Sequence, residues 1–495
     1  MTPKDALTAY CEAFARREPE AIAPLFTENA VFDIPFQDKR LEGRDLIMRE
    51  MATSIRGLKN ITVELGHVIE GDNDAYAEGV FLSEMIGAPA KVDGTPMRTD
   101  FRFVAVVETK DGLVTRLSEY FDTKPIKPLE RDRVYTSNRR SPYWEGVERA
   151  GVSEFMTYNN TYFPMIYHHA PVEEYAALAE RVTMWDVGCE RQTQFKGPDA
   201  LAFANYLSTR NLADMKVGAC RYTHVCDPDG RIMSDPVVLR PFEDTVWFSH
   251  GNTDLTLWGR GIATGSDWNV EVSEPDVAPI QIQGPMSLPM LRPIVEPGLD
   301  DLKFYRCRPA RFAGIDTIVS QTGWSGGAGY EIFPLRSDRA MELWDTLLEA
   351  GEPYDLMVTG PNISRAVERG VTDTCYLSNS GMNPYEAGEG RLVDLDKGDF
   401  IGCEALARIQ REGPKRRTVG LLFNETLPRI EWNWPLIDAR GRLGEVRWAT
   451  HSFALGHDIG IALVDKDVAT GETVTVSHPK GTTVAAVTTI PFVDR

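Results

Sequence analysis

Along the first 125 residues the spacing of apolar positions changes once. Ala6, Leu7, Tyr10, Phe14 and Ala15 recur at helical spacing, which predicts an amphipathic helix over residues 4–17. A short second helix is expected over 19–26. From there the period drops toward two, with strand-like runs at 30–34, 61–70, 75–85, 100–108 and 114–121. Lys110-Asp111-Gly112 supplies the turn between the last two. Helices first and a meander of long strands after predict a small α+β cone over residues 1–125. A linker over 126–140 follows, rich in Lys, Arg and Pro. Residues 141–410 alternate helices, at 172–182 and 339–349, with β pairs. Residues 415–495 carry short strands with Gly and Pro turns, the pattern of a compact β-barrel. Cys220 and Cys226 read as one strand.

Composition narrows the functions open to such a chain. A formal charge of −20 argues against a general nucleic-acid or anionic-membrane binder, because phosphate needs clustered Lys and Arg. No apolar run reaches the roughly 18 residues of a membrane span. The start, Met1-Thr2-Pro3-Lys4-Asp5, has no basic segment followed by an apolar one, so cytoplasmic localisation is expected. The seven cysteines show no Cys-x-x-Cys pair and the histidines no His-x-x-x-His pair, so no metal site is expected. No dinucleotide fingerprint is present either.

The most informative stretch is Thr322-Gly323-Trp324-Ser325-Gly326-Gly327-Ala328-Gly329-Tyr330-Glu331. Clustered glycines let a backbone take positive φ and approach a flat ligand closely. An ionised carboxylate at the following strand end is a two-oxygen acceptor, suited to the N–H edge of an amino-pyrimidine. Read alone, the run also fits a structural hairpin. Asp235 lies in Ile232-Met233-Ser234-Asp235-Pro236-Val237, a turn before a strand, with Asp227-Pro228-Asp229-Gly230 and Tyr222 upstream. His224 and His250 lie near these motifs in sequence.

Five segments, in order, resemble the tetrahydrofolate-dependent aminomethyltransferase family that includes the glycine cleavage T-protein. They are Ser141-Pro142-Tyr143 through Tyr158-Asn159; Trp185-Asp186-Val187 with Glu190-Arg191-Gln192; Tyr222 with 227–236; the glycine run; and Asn383-Pro384-Tyr385-Glu386-Ala387-Gly388 with 399–406. The resemblance spans residues 138–495 and is strongest to the family's dimethylsulfoniopropionate demethylase branch. It implies a T-protein-like α/β folate-binding region, a terminal barrel, tetrahydrofolate as cofactor and a small methylated donor. It implies Asp235 and Tyr222 as catalytic residues and Glu331, Tyr222, Asp235 and Tyr330 as folate contacts. Trp324, with Phe333, Tyr143 and Trp144, would form an aromatic box for the donor, since ring faces attract onium methyls. Three positions depart from the pattern. Gly326 replaces a lysine, which predicts room for a bulkier donor than the sulfonio acid, a methoxylated aromatic acid or a betaine-like ammonium. Phe333 replaces a tyrosine, and Ala366 replaces a folate-contacting arginine, with Arg365 and Arg369 as substitutes. Two other functions stay open: aminomethyl transfer with a lipoyl carrier partner, and a non-catalytic folate binder whose first domain is a lyase or isomerase. That domain resembles the SnoaL-like fold, with Glu119-Tyr120-Phe121-Asp122 as its final-strand signature. Such cones mostly dimerise or bind, so a homo-oligomer through the cone is the expected assembly. Asp33, His67, Asp100, Arg102 and Tyr120 are its candidates for acid–base work.

Overall fold

The computed structural model describes residues 1–35, 39–85, 98–121, 138–377, 381–428, 433–438 and 441–493. They fall into two compact units, Met1–Thr136 and Ser137–Arg495.

The first unit opens with helix α1 (Pro3–Arg16), whose start is fixed by a capping box between Thr2 and Asp5 and by Pro3 in the first turn. Its buried stripe is Ala6, Leu7, Tyr10, Cys11 and Ala13. After the short α2 (Pro19–Ile22) come β1 (Phe26–Ile34), β2 (Lys39–Glu42), α3 (Arg44–Arg56), β3 (Leu58–Glu70), β4 (Asp74–Met85), β5 (Arg98–Lys110) and β6 (Leu113–Phe121). The pattern did not predict α3. Its apolar stripe is thin, with Ile47, Met51 and Ile55 four residues apart on a polar helix. The sheet order is β2-β1-β6-β5-β4-β3, with β1 and β6 parallel and the other neighbours antiparallel. Asp111 and Gly112 take φ of 53° and 76° to close the β5–β6 hairpin. Register shifts in the β3–β4 ladder bend the long strands. The α1 stripe packs with the inward strand residues Phe26, Phe81 and Phe103 in one apolar core.

Strand alternation decides which polar candidates face that core, and none of the described ones lines its cavity. Tyr120 is 47% exposed, and Arg102 and His67 are on the surface. Asp33 is held by Arg116 at 3.0 Å and Arg40 at 3.4 Å. The side chain of Asp100 lies outside the described residues. The acid of β6 that lines the cavity is Glu119, one residue before Tyr120.

The second unit is built on two sheets and a barrel. A seven-stranded sheet runs in the order Val295–Glu296, Cys307–Phe312, Ile315–Ser320, Gly329–Pro334, Ile280–Gln283, Thr183–Asp186, Met357–Val358. A five-stranded sheet runs Cys220–Tyr222, Val237–Phe242, Thr245–His250, Arg191–Lys196, Glu271–Ser273. Cys220 and Cys226 occupy separate strands, Cys220 in the five-stranded sheet and Cys226 in a two-stranded sheet of Val225–Cys226 and Ile232–Ser234, parted by a break at Thr223 and His224. Helices Pro171–Glu180 and Ala340–Gly351 match the two expected. Six strands between Arg416 and Thr488 close the terminal barrel.

Two of the segments that stand out in the sequence work as structural ties. Ser141 donates to the buried Asp186 carboxylate, whose other oxygen accepts the Gly188 N–H at 2.9 Å. Burial pushes Asp186 up to about 6 despite these bonds. Glu386 accepts two bonds from Arg416 at the first barrel strand, at 3.1 and 2.8 Å, and its carbonyl accepts from Thr418. Glu368, fully buried, joins three elements. It accepts from Tyr175 at 2.6 Å, from Ser452 at 2.6 Å and from the Ala454 N–H at 3.0 Å.

Candidate active site

A cavity of about 450 Å³ opens beside the glycine run. Glu331, Asp235, Tyr222 and Trp324 all line it, although they come from three separate stretches of chain.

Glu331 sits on a central strand between Gln281 and Ser320 of its two neighbours. Gln281 donates to one of its oxygens at 2.7 Å and Thr322 to the other, with Ser320 behind at 3.5 Å. Burial raises its pKa, and those three donors oppose the rise. Glu190, quoted in the Glu190-Arg191-Gln192 segment but not among the expected site residues, also lines the cavity. Burial first, then the charges of Glu331, Asp235 and Asp373, pushes it well toward the protonated form.

Asp235 caps the end of the Ile232–Ser234 strand, and the Tyr222 hydroxyl donates to it at 3.0 Å. The hydroxyl is a firm donor because burial and the Asp235 charge raise the phenol well above its ordinary value. His250 lines the same wall. Its Nδ1 lies 3.0 Å from the Gly251 carbonyl, so Nδ1 carries the proton. Burial lowers the ring to about 4, which leaves Nε2 a neutral acceptor with no partner among the described residues. His224 is fully buried behind the cavity, with Nε2 2.8 Å from Glu389.

The glycine run is clamped over Gln283. Ser325 donates to its amide oxygen at 2.7 Å, and its amide nitrogen donates to the Thr322 carbonyl at 3.3 Å. A Cβ on Gly323 or Gly329 would fall 2.1–2.2 Å from that amide. Gly326 takes φ of 64°, and a Cβ there would sit 2.8 Å from Arg369 Cδ. The space expected at Gly326 is therefore filled by Arg369, which donates to the Gly326 carbonyl. Arg365 instead lies over the Tyr175 ring, and Ala366 is buried. Arg391, unflagged by the sequence, is the only Lys or Arg lining this cavity among the described residues.

The aromatic box is not assembled as expected. Trp324 lines the cavity, its indole N–H donating to the Thr372 carbonyl at 3.4 Å and its ring edge-on to Trp448. Tyr143 is fully buried, bonded to the Ala278 carbonyl at 2.8 Å and packed against Trp344. Trp144 stacks on Phe155 outside the cavity, and Phe333 packs with Trp247 in the core between the sheets. Tyr330 alternates away from Glu331 into the opposite core. The rings that do line the cavity are Tyr158, Tyr222, Phe304 and Tyr305, beside Trp324.

Tyr222, Tyr305 and Arg391 also border a second cavity of about 380 Å³ that adds Arg210, Arg221 and Arg306. Asp214 neutralises Arg221 at 2.6 Å. Arg210 makes no ion pair among the described residues. Burial first, then the nearby charges of Arg221 and Arg391, lowers its pKa. The two cavities adjoin at Tyr222, Tyr305 and Arg391, with the carboxylates on one side of these shared residues and the arginines on the other.

The architecture matches known families along its length. Residues 146–397 match the GCVT N-terminal domain, 416–494 the glycine cleavage T-protein C-terminal barrel domain, and 7–117 the SnoaL-like domain. The chain is 33% identical to a dimethylsulfoniopropionate demethylase of Ruegeria pomeroyi, over 69% of this chain and 94% of that protein. It is also 33% identical to an aminomethyltransferase of Streptomyces avermitilis, over 59% of this chain and 81% of that one. The crystal structure of the glycine cleavage system aminomethyltransferase T from Bartonella henselae superposes with a TM-score of 0.65 at 21% identity. It covers 72% of this chain and 98% of that one, and shows the shared fold.

Proposed function

Because the chain belongs to the T-protein (aminomethyltransferase) family, we propose that it is a tetrahydrofolate-dependent demethylase, moving a methyl group from a small methylated donor to N-5 of tetrahydrofolate. The observation that carries this reading is the pair of adjoining cavities, one lined by carboxylates and the other by arginines. A folate has an amino-pyrimidine edge of N–H donors at one end and an anionic glutamate tail at the other. The acidic cavity offers acceptors for the first: Glu331, and the buried Gln281 Oε1 and His250 Nε2, which have no partners among the described residues. An unpartnered buried acceptor is costly, so a ligand donor there is favourable. The vestibule offers Arg210, Arg306 and Arg391 for the second.

Tetrahydrofolate would supply N-5 as the nucleophile that takes the methyl carbon. The chain's own part is position and charge. Asp235, fixed by Tyr222, stands where a carboxylate can offset positive charge and accept the departing proton. Trp324 presents the aromatic face suited to an onium methyl, and the acidic lining favours a cationic head. The donor is therefore read as a methylated ammonium or sulfonium rather than a methoxylated acid. Its leaving atom keeps the bonding pair and departs neutral, so no acid is needed. The test is incubation with tetrahydrofolate and S-, N- and O-methyl donors, with a lipoyl carrier as a further arm. 5-Methyl-tetrahydrofolate from an onium donor is the expected product. Its absence with every methyl donor would overturn the reading.

The exposed apolar residues Ile69, Tyr76, Val104 and Tyr120 on β3–β6 support a homo-oligomer through the first unit. Light scattering of the wild-type chain and Tyr120→Lys tests it.

A further inference from the structure

The first unit contains a cavity of about 220 Å³ that the demethylase reading does not use. Its wall is aromatic. Phe81 and Phe101 stack at 4.7 Å, and Phe121 stands edge-on to Phe101 at 5.0 Å. Phe14 is edge-on to Phe81 at 5.9 Å. No Lys, Arg or His lines the cavity among the described residues. Its floor carries Glu119, 9% exposed, on the strand that supplies Phe121.

A carboxylate enclosed by phenyl rings without a cation is an unusual thing to maintain. Burying an unpaired charge is costly, and a core position without function takes an apolar residue at no such cost. Rings and a carboxylate together form the environment that a desolvated cation needs. The ring faces are the negative pole of the aromatic quadrupole, and the carboxylate balances the charge. The volume is that of roughly seven waters at about 30 Å³ each, enough for an ion carrying three or four methyl groups. We propose that the cone is a separate binding site for a small methylated cation, an ammonium or a sulfonium, held by these phenyl rings and the Glu119 carboxylate.

The other ionisable groups at the cavity do not compete for this role. Tyr10 and Cys11, from α1, are pushed up by burial and by Glu119, so both stay neutral. Glu50, from α3, is paired with Lys39 at 2.6 Å. Glu119 itself is pushed up to about 7 by burial, with the Tyr10 hydroxyl opposing the rise. Affinity for a permanent cation should accordingly fall as the pH drops below about 7, a dependence that belongs to the protein because the ligand does not titrate.

Calorimetry on the full chain at alkaline pH tests the site. The probes are tetramethylammonium, trimethylsulfonium, and choline beside its neutral isostere 3,3-dimethylbutan-1-ol. The cations are expected to bind at least tenfold more tightly than the isostere. Glu119→Gln should weaken them at least tenfold, and Phe101→Leu severalfold. Trp324→Leu, in the other unit, should leave this event in place and separates it from donor binding in the folate cavity. Three results would overturn the proposal: equal affinity for choline and its isostere in the wild-type chain, unchanged cation binding in Glu119→Gln, or no binding of either permanent cation at millimolar concentration.

Discussion

Glu331 and Asp235 are both carboxylates in one cavity, yet their surroundings give them different work. Glu331 is gripped by three side-chain donors, which aim its remaining lone pairs at a ligand. Glu331→Gln turns one acceptor into a donor facing the ligand's N–H groups. Tetrahydrofolate should bind at least about tenfold more weakly, about 1.4 kcal/mol. Calorimetry on a folded variant with unchanged affinity would remove Glu331 from the site. Asp235 accepts from the Tyr222 phenol and serves the charge that develops during transfer. Asp235→Asn should lower kcat about tenfold or more with little change in KM, and a kcat within twofold of wild type would make it a turn residue only. Glu119 carries a pH prediction. Its folded pKa of about 7 lies above the unfolded value of about 4.3. The folded state keeps a proton that the unfolded chain releases. Its stabilising contribution is thus complete below about pH 4.3 and is lost as the pH rises through about 7. Relative to Glu119→Gln, wild type should lose melting temperature between acidic and alkaline buffer. Parallel melting curves for the two proteins would contradict the buried acid.

At the level of elements, the glycine run is legible because its glycines answer a local demand. Gly323 and Gly329 lie against the Gln283 amide, and Gly326 holds positive φ beneath Arg369. A lysine at 326 needs Arg369 to leave. Gly326→Lys should therefore cost about 1–2 kcal/mol in a urea midpoint measurement, from the left-handed backbone and the displaced guanidinium. An unchanged midpoint would show that Arg369 moves freely. Strand faces were harder to read. In β6 the sequence offers Glu119 and Tyr120 side by side, and only the pairing of β6 with β5 and β1 turns Glu119 inward and Tyr120 out. The same alternation separates Tyr330 from Glu331. Tyr143 and Trp144 were misplaced for another reason. Their motif is tied to Asp186 and Trp344, so its sequence signal reports packing and not ligand contact.

Across the whole molecule, the order of domain types was legible from periodicity and motif order, because each change of period is written in consecutive residues. The site was legible only in part. Glu331, Asp235, Tyr222 and Trp324 sit in segments with a recognisable local pattern. Glu190 and Tyr305 reach the cavity from loops, His250 from the end of the Thr245–His250 strand and Arg391 from a single 3-10 turn, and their neighbours are fixed by the packing of two sheets. Nothing near Arg391 in sequence marks it as the residue where the acidic cavity meets the basic vestibule. That gradient has a kinetic consequence. A ligand with a cationic or hydrogen-donating head and an anionic tail meets a matching field before any contact is made, and one arriving reversed meets repulsion at both ends. Encounters are thus sorted by orientation at a distance, within the roughly 10 Å over which charge is felt at 0.1 M salt. Stopped-flow association of tetrahydrofolate should slow as salt rises while dissociation changes little. A salt-independent association rate would mean that the site selects its ligand only after entry.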